Sequence, residues 1–132
     1  MAKILQIIPS LDQINGGVER GTLDIAKELI KVGFQSSLLS SGGEMAEKYK
    51  YRGVEHHELN IKKKGVFSYF ILKKKIRKIL NEIKPDIVHI RSRWPAFCFN
   101  KIVKQNRIPL VTTYHGTYSG TNFYPKKKYN SV

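Results

Sequence analysis

Gly16-Gly17-Val18-Glu19-Arg20 separates an apolar run, Ile4 to Ile8, from an amphipathic run, Val18 to Val32. A short apolar run without polar alternation reads as a buried strand, here Lys3 to Ile8. In the second run Val18, Ile25, Ala26, Leu29 and Ile30 share one helical face, and Gly33 supplies the stop. Adjacent glycines let backbone N–H groups approach a ligand where a Cβ would clash. A helix starting there aims its positive dipole end and its unpaired N–H groups at the same point. That arrangement suits an anion, above all a phosphate, and the first βα turn is where open α/β sheets bind ligands. A plain strand-to-helix turn is the competing reading. On two glycines alone the choice stays open.

The same alternation continues along the chain. Gln35 to Ser40 reads as a strand ending at Gly42-Gly43, Glu44 to Tyr51 as a short helix closed by Gly53, and Val54 to Leu59 as a third strand. The spacing of Tyr69, Leu72, Ile76, Ile79, Leu80 and Ile83 predicts a helix over Phe67 to Ile83, ended by Pro85. Asp86 to Ile90 follows as a strand, Pro95 opens a helix to Gln105, and Pro109 to Tyr114 is a β-branched strand. Strands alternating with helices imply right-handed crossovers: an α/β, Rossmann-like, mostly parallel sheet with helices on both faces. The carboxyl edge of that sheet should gather Gly16-Gly17, the basic turn Arg91-Ser92-Arg93, and Tyr114-His115-Gly116.

Composition narrows the class further. The 132 residues fit one domain with a real core. No segment reaches the roughly 18 apolar residues of a membrane span, and no signal peptide opens the chain. Cys98 is the single cysteine, which excludes an internal disulfide or a multi-cysteine metal site. A cytoplasmic location is the expectation. The net charge of +14, with lysine triplets at 62–64, 73–75 and 126–128, allows nucleic acid, an anionic membrane surface or an anionic substrate as partner. Nucleic acid is disfavoured, for no recognised motif or aromatic-basic surface pattern is present. Lysines facing solvent are the plain alternative.

Individual residues carry paired readings. Arg91 and Arg93, two apart, are expected on one face near the cleft, gripping an anionic acceptor or phosphate; a salt-bridged loop competes. His115 either caps a strand end or contacts a ligand. His89 fits a satisfied histidine inside an apolar strand. His56 and His57 point to opposite faces of a strand, against a shared metal. Trp94 and Phe97 either shape an acceptor pocket or, the favoured reading, pack to staple the next helix, and Cys98 is expected to be inert core. No nucleophilic triad or carboxylate pair stands out, so hydrolysis is not supported.

The chain resembles the N-terminal domain of a family 4 glycosyltransferase with the GT-B architecture. The residues that carry the resemblance are Lys3-Ile4-Leu5-Gln6, Gly16-Gly17-Val18-Glu19, Lys84-Pro85-Asp86-Ile87-Val88-His89 and Thr112-Thr113-Tyr114-His115-Gly116. Arg91-Ser92-Arg93-Trp94-Pro95-Ala96 and Tyr129-Asn130-Ser131 are similar to a bacterial subset that assembles lipopolysaccharide and related surface glycans. The resemblance implies a retaining transfer of a sugar from a nucleotide-sugar to a glycan or lipid-linked acceptor. It implies no tightly bound cofactor and no required metal. Gly16 and Gly17 would approach the donor diphosphate, His115 the donor sugar, and Glu19 either the loop or the acceptor. Fixed N–H dipoles and basic side chains would then neutralise the leaving diphosphate.

The family pattern also has a second Rossmann-like domain, with a basic diphosphate clamp and paired glutamates, which residues 1–132 lack. The expectation is one incomplete acceptor-side domain, a fragment, split enzyme or remnant, inactive unless a C-terminal domain or partner chain completes it. Lysines at 62–64 and 73–78 would favour a peripheral position on the inner membrane face, at roughly 1 kcal/mol per well-placed charge. The reading from another class is a non-catalytic basic Rossmann-like module that binds nucleic acid or an anionic surface.

Overall fold

A computed structural model describes residues 2–12, 17–50, 53–63 and 65–113, with the side chains of 48–50 excepted. The strands are β1 (Lys3–Ile7), β2 (Gln35–Ser40), β3 (Glu55–Glu58), β4 (Ile87–Arg91) and β5 (Leu110–Thr113). The helices between them are α1 (Gly17–Lys31), α2 (Glu44–Lys50), α3 (Val66–Ile83) and α4 (Arg93–Gln105). All described pairings are parallel, in the order β3-β2-β1-β4-β5. The mostly parallel, Rossmann-like sheet read from the alternation is therefore the sheet observed.

Apolar residues on the two faces of the sheet fill two cores. On one face α3 and α4 pack Leu72, Ile76, Leu80, Phe99 and Ile102 onto Leu5, Ile7, Val88 and Ile90. On the other, α1 and α2 pack Leu23, Ala26, Met45 and Ala46 onto Ile8 and Leu38. Both layers exclude water from the central strands, as parallel pairing requires. Val111 of the terminal strand β5 is exposed on one face.

Boundaries move by a residue or two, with local causes. Gly33 ends α1 at φ 94, and the N–H of Phe34 reaches back to Leu29 O at 2.9 Å. Pro95 is the third residue of α4 rather than its opening, a first-turn position whose N–H would have no helical partner. Gly43 sits at φ 133, where a Cβ would lie 2.6 Å from the Leu11 carbonyl oxygen. The absence of a Cβ lets the β1–α1 and β2–α2 turns approach, and Leu11 N–H to Gly42 O at 3.0 Å and Met45 N–H to Leu11 O at 3.1 Å join them. At the opposite edge Asp86 accepts from the Lys3 N–H at 2.7 Å, locking the start of β4 beside β1. The Lys84-Pro85-Asp86 part of the motif thus works on the far side of the sheet from the ligand edge.

Candidate functional site

Sheet order reverses direction between β1 and β4, so their carboxyl ends open a crevice that no crossover covers. A cavity of about 180 Å³ lies there, lined by Ile8, Pro9, Ser10, Val18, Glu19, Arg91 and Ser92. The first turn of α1, from Gly17, forms one wall. Its leading N–H groups have no partner within the helix. Among the described residues, a Cβ built on Gly17 would meet nothing within 4 Å.

Arg91 forms the opposite wall. It is the last residue of β4 and is only 4% exposed. Its Nε donates to Gln6 Oε1 at 3.0 Å, and Gln6 Nε2 donates to the carbonyl of Thr22 at 3.2 Å. Thr22 in turn donates its hydroxyl to Val18 O at 2.7 Å, inside the first turn of α1. A buried polar chain therefore runs from β4 through β1 to the helix terminus, fixing the two walls relative to one another. Burial pulls the Arg91 guanidinium below its ordinary pKa, yet arginine stays protonated. Among the described residues Arg91 makes no ion pair. A cation held out of water with a neutral partner favours an anion in the cavity beside it.

Of the residues singled out from sequence, Glu19 and Arg91 line this cavity together. Gly17 opens α1 at its rim. Gly16 and His115 lie outside the described residues, as do Tyr114 and Gly116. Arg93 does not line this cavity with Arg91. Ser92 between them takes φ 130 and ψ 156, so strand alternation stops at Arg91 and Arg93 becomes the first residue of α4. That backbone region is all but reserved for glycine, and Ser92 lines the cavity.

Gln6 and Ser92 were missed as functional residues. Gln6 carried a signal: one amide within an otherwise apolar, doubly buried strand has to find polar partners. Nothing in the sequence marked Ser92 as strained.

His89 and His56 take local roles. His89 Nε2 lies 3.2 Å from Thr113 Oγ1, and His56 Nε2 lies 2.6 Å from Ser40 Oγ. Among the described residues no cluster of three or more His, Cys, Asp or Glu could hold a metal. Cys98 is fully buried, and burial pushes its thiol up to about 12, against a smaller opposing effect of Lys73. A larger cavity, about 580 Å³, lies at the amino edge near Lys3, Ser36, Glu55 and His57. It contains none of the expected site residues, and strand ends of that polarity are not where such sheets bind ligands.

Residues 15–131 match the family model for Glycosyltransferase Family 4. The chain belongs to that family. Among solved structures, this family 4 chain superposes on a glycosyltransferase from Rickettsia africae ESF-5 with a TM-score of 0.81. The two are 36% identical, over 99% of this chain and 34% of the other. MurG from Acinetobacter baumannii matches with a TM-score of 0.70 at 18% identity, over 93% of this chain and 38% of MurG. A UDP-GlcNAc 2-epimerase from Neisseria meningitidis bound to UDP-GlcNAc matches at 0.66 and 14% identity, over 97% of this chain and 36% of its own. At such low identity the last two show the shared fold. The family 4 chain thus spans about a third of the length of these relatives. A comparison with curated proteins returned no match.

Proposed function

We propose that this chain forms the acceptor-side half of a retaining glycosyltransferase that moves a hexosyl-type sugar from a nucleotide-sugar to a glycan or lipid-linked acceptor. The observation that carries the reading is the buried Arg91 facing the α1 terminus across the crevice between β1 and β4. Charge on a leaving diphosphate is met there by oriented N–H groups and a guanidinium that need not reorganise as the bond breaks. The preorganisation comes from the chain Arg91–Gln6–Thr22–Val18. Glu19 across the same cavity is assigned to the acceptor or to the loop, and His115 to the donor sugar. The other wall of the donor site comes from a second Rossmann-like domain or a partner chain, consistent with the 34% of the Rickettsia enzyme that this chain covers. The reaction belongs to surface-glycan assembly such as that of lipopolysaccharide, on the cytoplasmic side.

The test is sugar transfer from a panel of nucleotide-sugars, with the chain expressed together with its natural downstream coding sequence. Arg91→Met and His115→Ala should each lower kcat by at least about 100-fold, the cost of one lost charge-stabilising group. Gly17→Val should raise the donor KM while leaving the fold intact, because the added Cβ meets no atom of the described residues within 4 Å. Near-normal transfer by all three variants would sink the assignment.

A further inference from the structure

The sequence shows no aromatic-basic surface pattern, but the structure displays one. Phe67 is 87% exposed, Phe97 68% and Phe70 63%, and Val66 and Ile71 beside them are also exposed. The patch is continuous across two helices. Tyr69 lies 5.6 Å, centroid to centroid, from both Phe70 and Phe97, and Trp94 stacks on Phe97 at 5.7 Å. The expected packing role of Phe97 is therefore only partial: its ring touches Tyr69 and Trp94 but faces water.

Phe67, Phe70 and Ile71, then Lys74, Arg77 and Lys78, follow one another along one stripe of α3, opposite the buried Leu72, Ile76, Leu80 and Ile83. The stripe is apolar in its first two turns and basic beyond them. At 1.5 Å per residue the apolar part, Val66 to Ile71, rises about 7.5 Å. That matches the roughly 5–10 Å to which interfacial apolar groups sink at a bilayer surface. Lys74 would then stand at headgroup height. Among the described helices the net positive charge lies on this side: α3 and α4 carry eight basic residues and one acidic, whereas α1 and α2 carry five of each.

We infer that the α3–α4 tip inserts into an anionic lipid bilayer, with Phe67, Phe70 and Phe97 entering the apolar boundary and Lys74, Arg77 and Lys78 meeting the headgroups. A bilayer satisfies both halves of the stripe. Nucleic acid would take the lysines but leave Val66 and Ile71 in water, and a second copy of this chain would bring two strongly basic faces together. No described helix is long and apolar enough to cross a membrane, so the attachment is interfacial. Both α3 and α4 start at the carboxyl edge of the sheet, and Ser92 of the Arg91 cavity immediately precedes α4. Insertion therefore sets the cavity beside the headgroups. Delivery of a lipid-linked acceptor from there rests on the proposed function, whereas the insertion itself does not.

The experiment is flotation of the 132-residue chain with vesicles of phosphatidylethanolamine and phosphatidylglycerol, against vesicles of phosphatidylcholine. Trp94 is the lone tryptophan and reports on the patch directly. The chain should float with the anionic vesicles, with a blue shift and quenching of Trp94 by brominated lipid. The double substitution Phe67→Ser/Phe70→Ser removes exposed groups, so it should keep the native circular dichroism while partition falls at least about tenfold. Lys74→Glu/Lys78→Glu should weaken binding and flatten its dependence on salt. The inference is overturned by absence of flotation, by flotation that the double serine variant retains, or by salt-sensitive RNA binding without flotation. A double serine variant that only dissociates an oligomer would overturn it too. None of these readouts needs a donor sugar, so failure here is separable from failure of the transferase reading.

Discussion

Ser92 stands where β4 hands over to α4, at φ 130 and ψ 156, inside the cavity wall. A side chain there costs roughly 1–3 kcal/mol, and the surrounding β4 and α4 hold it in place. Ser92→Gly should therefore raise stability by about 1 kcal/mol, read as a higher urea midpoint; a lower midpoint would show that the serine contributes more than its backbone costs. Cys98 gives a pH effect with a definite sign. Its thiol keeps its proton up to about 12 in the folded chain, against an ordinary value of 9.0. Between those values the folded state binds more protons than the unfolded one, so the contribution is whole below 9 and is lost as pH rises toward 12. Urea unfolding over that range should show wild type losing stability more steeply than Cys98→Ala.

At the scale of elements, the connection that matters is between β4, β1 and α1. Gln6 links them because its amide both accepts from Arg91 and donates to Thr22 O. Gln6→Leu keeps the volume but leaves a buried guanidinium without that partner, at a cost of roughly 1–3 kcal/mol. Thr22→Val loses only the hydroxyl bond to Val18 O and should cost less, since the Thr22 carbonyl still accepts from Gln6. Denaturant titrations of the two variants test the order; equal costs would mean that Gln6 supports Arg91 no more than any core residue does. The helix α3 was legible from its spacing because its buried stripe, Leu72 to Ile83, dominates the pattern. Its second, exposed stripe was not, because an apolar residue in a sequence carries no mark of which way it faces.

For the whole molecule, the dominant quantity is a net charge of +14, half of which α3 and α4 carry. Self-repulsion of that kind opposes compaction and is relieved by screening. The thermal midpoint should rise when salt goes from about 0.01 M, where the screening length is near 30 Å, to about 0.15 M, where it is near 8 Å. A midpoint that is flat or falls would mean that the lysines are too far apart to repel measurably. The same screening should weaken vesicle binding, so stability and attachment respond to salt in opposite directions.

The sequence by itself determined the alternation of strands and helices, and with it the parallel Rossmann-like sheet. Local periodicity and turn residues such as Gly33 and Pro85 are short-range properties, written in neighbouring letters. It also brought Gly17 and Arg91 to the carboxyl edge of the sheet, because in a parallel sheet every strand ends on the same side. Only the tertiary structure separated Arg93 from Arg91, tied Arg91 to Gln6, and turned Phe67, Phe70 and Phe97 outward. Each of these depends on a partner far along the chain or on which flank another helix leaves uncovered. Distances of that kind are set by packing, and no window of sequence contains them.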